Sequence, residues 1–191
     1  MTALPSLRRP APAPLRLELV ERCCADLGRA APALEAVPEG ALPPAARRLL
    51  AQTGGMTATL TRHWGEPMAL EVVASAVEPG TVRRQVVLRT ERTRIAAEVG
   101  FIAVDLAPLP PALQEEVVAG TLPFGALLAL HGVAFRSTPD LFFAVAADAP
   151  LAALLGVPEG ARLYGRHTVL TDSAGERLAE AVEVLTAREP G

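Results

Sequence analysis

The stretch "MALEVVASAVEPGTVRRQVVLRTE", residues 68–91, does most to limit what this chain can become. Two runs rich in β-branched residues flank Glu78-Pro79-Gly80, and that punctuation reads as a tight hairpin between paired strands. A third run, "RIAAEVGFIAVDL", follows almost at once, and "RLYGRHTVLTDSAGERLAEAVEVLTA" closes the chain as two strands around an Asp-Ser-Ala-Gly turn. Such short connections allow antiparallel neighbours and leave no room for parallel crossovers.

Elsewhere the grammar is helical. "LRLELVERCCADLGRAA" places Leu15, Leu19 and Cys23 on one face. "LPPAARRLLAQTGG" reads as a helix opened by a Pro pair and closed by Gly54, and a second short amphipathic segment restarts at Met56. "PPALQEEVVAG", "LPFGALLALHG" and "PLAALLGVPEGA" give further short helices, while "DLFFAVAAD" fits either a strand or a helix. The resulting class is α+β, with a single mainly antiparallel sheet and flanking helices. Residues 1–14, with "PAPAP", read as a flexible Pro-rich leader, and residues 15–191 as one domain.

Composition excludes several chemistries. The chain has no Lys and no Asn, so a lysine Schiff base and a P-loop lysine are both ruled out. All 18 basic residues are Arg, a usage that matches the codon bias of a high-GC bacterial genome. A net charge of −3 argues against a general binder of nucleic acid or of anionic membranes. His63, His131 and His167 lack the spacing of a zinc site, so no metal or other cofactor is expected. Cys23 and Cys24 are adjacent on a helix and read as small core residues of a cytoplasmic protein. No apolar run has the length of a signal peptide or a membrane span.

Charge on the strands is more informative. By alternation Arg84 shares a face with Val82, Val86 and Leu88. An Arg on an apolar face needs a counter-charge, either an internal Glu or the carboxylate of a ligand. In the last strand Glu183 shares a face with Ala179, Ala181 and Leu185, and Glu180 takes the other; one of the two points inward. Arg166 and His167 read as an ordinary solvated strand face, and Met56 as core filling.

The order of pieces from Leu42 to Leu185 resembles the chorismate lyase family. The matching stretches are "LLAQTGGMT", "RRQVVL", "GTLPFGALL" and "YGRHTVLTDSAGERLAEAVEVL". The resemblance implies helices packed on the sheet to enclose an internal ligand site. It implies a carbon–oxygen lyase that eliminates pyruvate from chorismate to give 4-hydroxybenzoate without a cofactor. On it, Arg84 and Glu183 would be the catalytic residues. Met56, Phe124, Gly125 and Arg166 would bind a small carboxylic acid, with Met56 in a lid. Where the family often has a basic residue in its third strand, this chain has Glu98. "LAALLGVPEGARLYGRHTVLTDSAGE" also resembles the effector-binding domains of winged-helix repressors, and residues 1–40 are too short for a winged helix of their own. A lyase-fold enzyme acting on another small acid, or a binding module without catalysis, are the alternatives.

Overall fold

The structure, a computed structural model, describes residues 15–188. The expected leader, residues 1–14, and the final residues 189–191 lie outside the described residues. Helix α1 (Glu18–Asp26) is followed by strand β1 (Leu34–Val37), a 3-10 turn, and helices α2 (Pro44–Leu50) and α3 (Met56–Trp64). Strands β2 (Met68–Glu78), β3 (Thr81–Thr90) and β4 (Ala96–Asp105) form a meander, and helices α4 (Pro111–Ala119) and α5 (Phe124–Leu130) follow it. Strand β5 (Phe135–Ala146), helix α6 (Ala149–Leu155), and strands β6 (Arg162–Asp172) and β7 (Arg177–Leu185) complete the order. All seven strands join one sheet in the order β1-β5-β6-β7-β4-β3-β2, with every pairing antiparallel.

The punctuation works as the residues dictate. Gly80 turns the β2–β3 hairpin at a φ of 79°, and Gly120 ends α4 at a φ of 66°, conformations that other residues reach only with strain. Two features depart from expectation. The four-residue β1 was not anticipated; it pairs with β5 from Leu34↔Val145 to Val37↔Phe142. The ambiguous "DLFFAVAAD" is strand, and it starts earlier, at Phe135, because a register shift between Pro139 and Leu141 absorbs the proline. Helix α1 is also shorter than its apolar pattern and ends at Asp26, just before Gly28.

Each sheet face carries its own core. Val99, Phe101, Val182 and Val184 meet α1 and α6 on one side, together with Cys23 and Cys24. Both cysteines are free and buried, and burial pushes the Cys23 thiol up to about 12, so it stays protonated and inert. On the other face the apolar residues form two separate groups. One gathers Val104, Val117, Leu127, Leu170 and Ala181 beneath α4 and α5. The other gathers Leu50, Met56, Leu60, Leu88 and Leu185 beneath α2 and α3. The seam between these groups holds the candidate site. No helix among the described residues is long and apolar enough to cross a membrane.

Gly165 shows how closely neighbouring strands of the sheet pack around β6. A Cβ placed there would collide with the Phe143 ring and lie 2.5 Å from the backbone oxygen of Glu183. Gly165→Ala should therefore destabilise the fold by about 1–3 kcal/mol in urea unfolding, the range for overpacking a filled core. An unchanged midpoint would contradict this packing.

Candidate functional site

The sheet register sets three parallel rows of side chains under the seam. The first runs Arg166, Glu183, Gly100, Val86 across β6, β7, β4 and β3. The second runs Thr168, Ala181, Ile102, Arg84, Ser75, and ends on β2. The third runs Leu185, Glu98, Leu88, Leu70. Gly100, lacking a side chain, leaves the floor open at the centre. A Cβ there would come within 3.0 Å of Glu98 Oε1 and 3.1 Å of Val86 Cγ2. The space above is a cavity of about 80 Å³, roofed by Gly55, Met56 and Thr57 of the α3 entry and by Phe124 and Gly125 of α5. That is room for roughly six water-sized groups, a small ligand.

Arg166 is completely buried. Its Nε donates to Glu183 Oε2 at 2.5 Å, and its Nη1 donates to the carbonyls of Leu50 and Gln52 at 2.9 and 2.7 Å. Its Nη2 reaches Ser137 Oγ at 3.4 Å. The expectation of a solvated face for Arg166, and of a direct substrate contact by it, is corrected here. Its donors are spent on β7, β5 and the carbonyls that end α2, where the helix dipole favours a cation, and it is not among the residues that line the cavity. The internal Arg–Glu pair anticipated for Arg84 exists, but Arg166 makes it.

Arg84 lines the cavity and is only 7% exposed. Its Nε donates to Ser75 Oγ at 3.3 Å, and its Nη2 donates to the carbonyls of Val117 and Val118 at the end of α4. Among the described residues no carboxylate pairs with it, and its Nη1 has no partner. Desolvation lowers its pKa, with no neighbouring charge opposing the shift. A guanidinium remains charged at neutral pH regardless, so the seam contains an uncompensated cation.

Glu98 stands at the other end. The residue is 3% exposed, and its buried Oε2 has no hydrogen-bond partner among the described residues. Burial, reinforced by the Glu183 charge and opposed by Arg166, holds its carboxyl well above the usual glutamate range. Glu183 also lines the cavity, and Arg166 Nε holds its Oε2. Glu180 lies on the opposite face, where its Oε1 meets His167 Nε2 at 3.0 Å, while Asp140 holds the other ring nitrogen. Desolvation opposes a charged imidazole there, but those two hydrogen bonds outweigh it and raise the His167 pKa. His167 is therefore a bridging residue rather than part of a freely solvated face.

Met56 combines both readings made of it: it is 4% exposed within the α2–α3 apolar group and also lines the cavity. The structure thus brings together Arg84, Glu183, Met56, Phe124 and Gly125, leaves Arg166 behind them as support, and adds Glu98. No group of three or more His, Cys, Asp or Glu that could hold a metal occurs among the described residues.

No protein-family profile matches the chain, and no curated protein matches it. Solved structures share its fold. PhnF from Mycobacterium smegmatis superposes with a TM-score of 0.54 at 18% identity, covering 72% of this chain and 66% of PhnF. This chain therefore spans just under two thirds of that structure's length. The effector domain of PhnF matches at 0.53 and 17%, covering 70% of this chain and 89% of the domain. The SA0254 gene product of Staphylococcus aureus matches at 0.55 and 12%, covering 72% and 90%. A weaker likeness, at 0.49, is to the ligand-binding domain of a protein assigned to the GntR family of transcriptional regulators from Bordetella bronchiseptica.

The α+β expectation thus holds, and the arrangement is the chorismate lyase-like one. The expected lyase does not hold. Among the structures described above, the PhnF domain that superposes with a TM-score of 0.53 is named as an effector domain, not as a lyase. The assignment as a carbon–oxygen lyase, with chorismate, pyruvate and 4-hydroxybenzoate as its reactants and products, is withdrawn accordingly.

Two measurements check this description. Glu183→Gln should cost about 3–5 kcal/mol in urea unfolding, since it strands a buried guanidinium, and Arg166→Met/Glu183→Met should recover much of that loss. The pH dependence follows from Glu98. Its folded pKa lies above the ordinary 4.5, so the folded state binds more protons and stability falls as pH rises from 4.5 towards the folded value. Glu98→Gln should flatten that slope, and parallel slopes would contradict the burial of an ionisable group at this position.

Proposed function

We propose that this chain is a non-catalytic small-molecule-binding module, of the effector-domain kind, and that it takes a small carboxylate through Arg84. One observation carries the reading: Arg84 is a buried cation on the cavity wall that has no acidic partner among the described residues and keeps Nη1 free. A buried unpaired charge is costly, and a ligand carboxylate supplies the compensation that the protein does not. A guanidinium presents a planar fork suited to two parallel hydrogen bonds to a carboxylate.

The surroundings support the same reading. Val86, Leu88, Ile102 and Phe124 give the cavity an apolar body with few polar points, the usual composition of a small-molecule site. The first turn of α3 starts at Met56 without a side-chain cap, so its N–H groups are available to ligand oxygens. Arg84 also holds the last carbonyls of α4. A carboxylate that draws the guanidinium inward would loosen α4 from β3, and ligand occupancy would then reach the surface as a change in helix position. The fold is shared with a domain named as the effector domain of PhnF, and a binding role needs no free base.

Hexanoate is a suitable probe, with one carboxylate and an apolar tail. At a concentration of about 100 times its Kd it should raise the melting temperature by roughly 5–10 °C. Arg84→Gln should weaken its affinity about tenfold or more, the worth of a charge-assisted contact. Purified protein incubated with chorismate should release no pyruvate. Pyruvate release, or equal hexanoate binding by the Arg84→Gln variant, would overturn the proposal.

A further inference from the structure

The cavity has a second charged end that carboxylate binding leaves unexplained. Glu98 stands opposite Leu88, four residues along the strands from Arg84, and its Oε1 reaches back over Gly100. Among the described residues no donor reaches either Glu98 oxygen, and its Oε2 is fully enclosed. Beside it, Glu183 lines the cavity, with Arg166 Nε on its Oε2. Arg166 is the nearby cation, and its donors are committed to Glu183, Leu50, Gln52 and Ser137. Two carboxyl groups therefore line one end of the cavity, and an unpaired guanidinium lines the other.

We infer that Glu98 is a specificity-determining residue and that the cavity selects zwitterions, ligands with a carboxylate for Arg84 and an ammonium group for Glu98. The inference rests on the carboxylate-binding reading above and extends it to the far end of the ligand. Charge balance favours it. The Arg166–Glu183 pair is neutral, so Arg84 and Glu98 remain as one cation and one acid, and a zwitterion compensates both. A simple monocarboxylate compensates Arg84 alone and leaves the acid buried without a partner. The number of acceptors also favours an ammonium. It carries three donors, enough for both Glu98 and Glu183, whereas a hydroxyl carries one. The apolar side chains between the two ends, Val86, Leu88 and Ile102, suit a short aliphatic spacer.

Burial favours the neutral form of the free carboxyl. An arriving ammonium stabilises the carboxylate instead, so binding releases a proton, and affinity rises with pH above the ordinary glutamate value. Glu183 and Arg166 are the charged groups that face Glu98, and their mutual pair stays intact through this step.

A matched pair of probes tests the inference by isothermal titration calorimetry at pH 7.5. 6-Aminohexanoate and 6-hydroxyhexanoate share the carboxylate and spacer and differ at the far end. The wild-type chain should bind the amino acid at least about tenfold more tightly, the order expected for a buried charge-assisted contact. Glu98→Gln should remove that preference, since only an ammonium gains from the acid's charge. The wild-type comparison needs no variant, so it stands even if the substitution disturbs folding. Equal or tighter binding of the hydroxy acid overturns the role of Glu98 while leaving carboxylate binding by Arg84 in place. Binding of neither acid overturns both.

Discussion

A guanidinium sealed from water is tolerable only if nearly every donor is satisfied, and Arg166 meets that condition through three separate parts of the chain. Glu183 on β7, Ser137 on β5, and the carbonyls of Leu50 and Gln52 after α2 converge on it. The desolvation cost of both ions is large, and their attraction repays it only with good geometry and complete hydrogen bonding. The pair therefore fixes where α2 ends relative to β6 and β7. The position of α2 in turn sets where the Gly54-Gly55 break restarts the chain as α3. The roof over the cavity is placed by a salt bridge that does not itself line the cavity.

The cavity exists because the apolar residues on this face do not close into a single core. Helices α4 and α5 cover one group and α2 and α3 cover the other. Gly100 withholds the side chain that would bridge them. Polar groups collect along the seam, and their charges are unevenly matched: Arg166 pairs with Glu183, whereas Arg84 and Glu98 each lack an ion-pair partner among the described residues. On the reading proposed here, the unmatched groups do the recognising, and the matched pair holds the roof in place.

Much of this was legible in local sequence. Pro79-Gly80 announced the β2–β3 hairpin, and alternation placed Arg84 with Val86 and Leu88 on the inner face. The same rule separated Glu183, which faces the cavity, from Glu180, which meets His167. What escaped was long-range. Arg166 alternates with Thr168 and Leu170, so the burial argument applied to Arg84 held for it equally, but its partners lie 17 and 116 residues away. Strand β1 is four residues long and owes its existence to β5, so no local pattern marks it. The resemblance to a lyase captured the architecture and several cavity positions, yet it carried an activity that the fold alone does not imply.

The account's central claim is a division of labour between two buried arginines. The most direct test is NMR of the arginine Nε–H groups in 15N-labelled protein during a hexanoate titration. The account predicts that the Arg84 resonance shifts saturably, with the affinity measured by other means, while the Arg166 resonance stays in place. A stationary Arg84 signal, or a shift confined to Arg166, would contradict it.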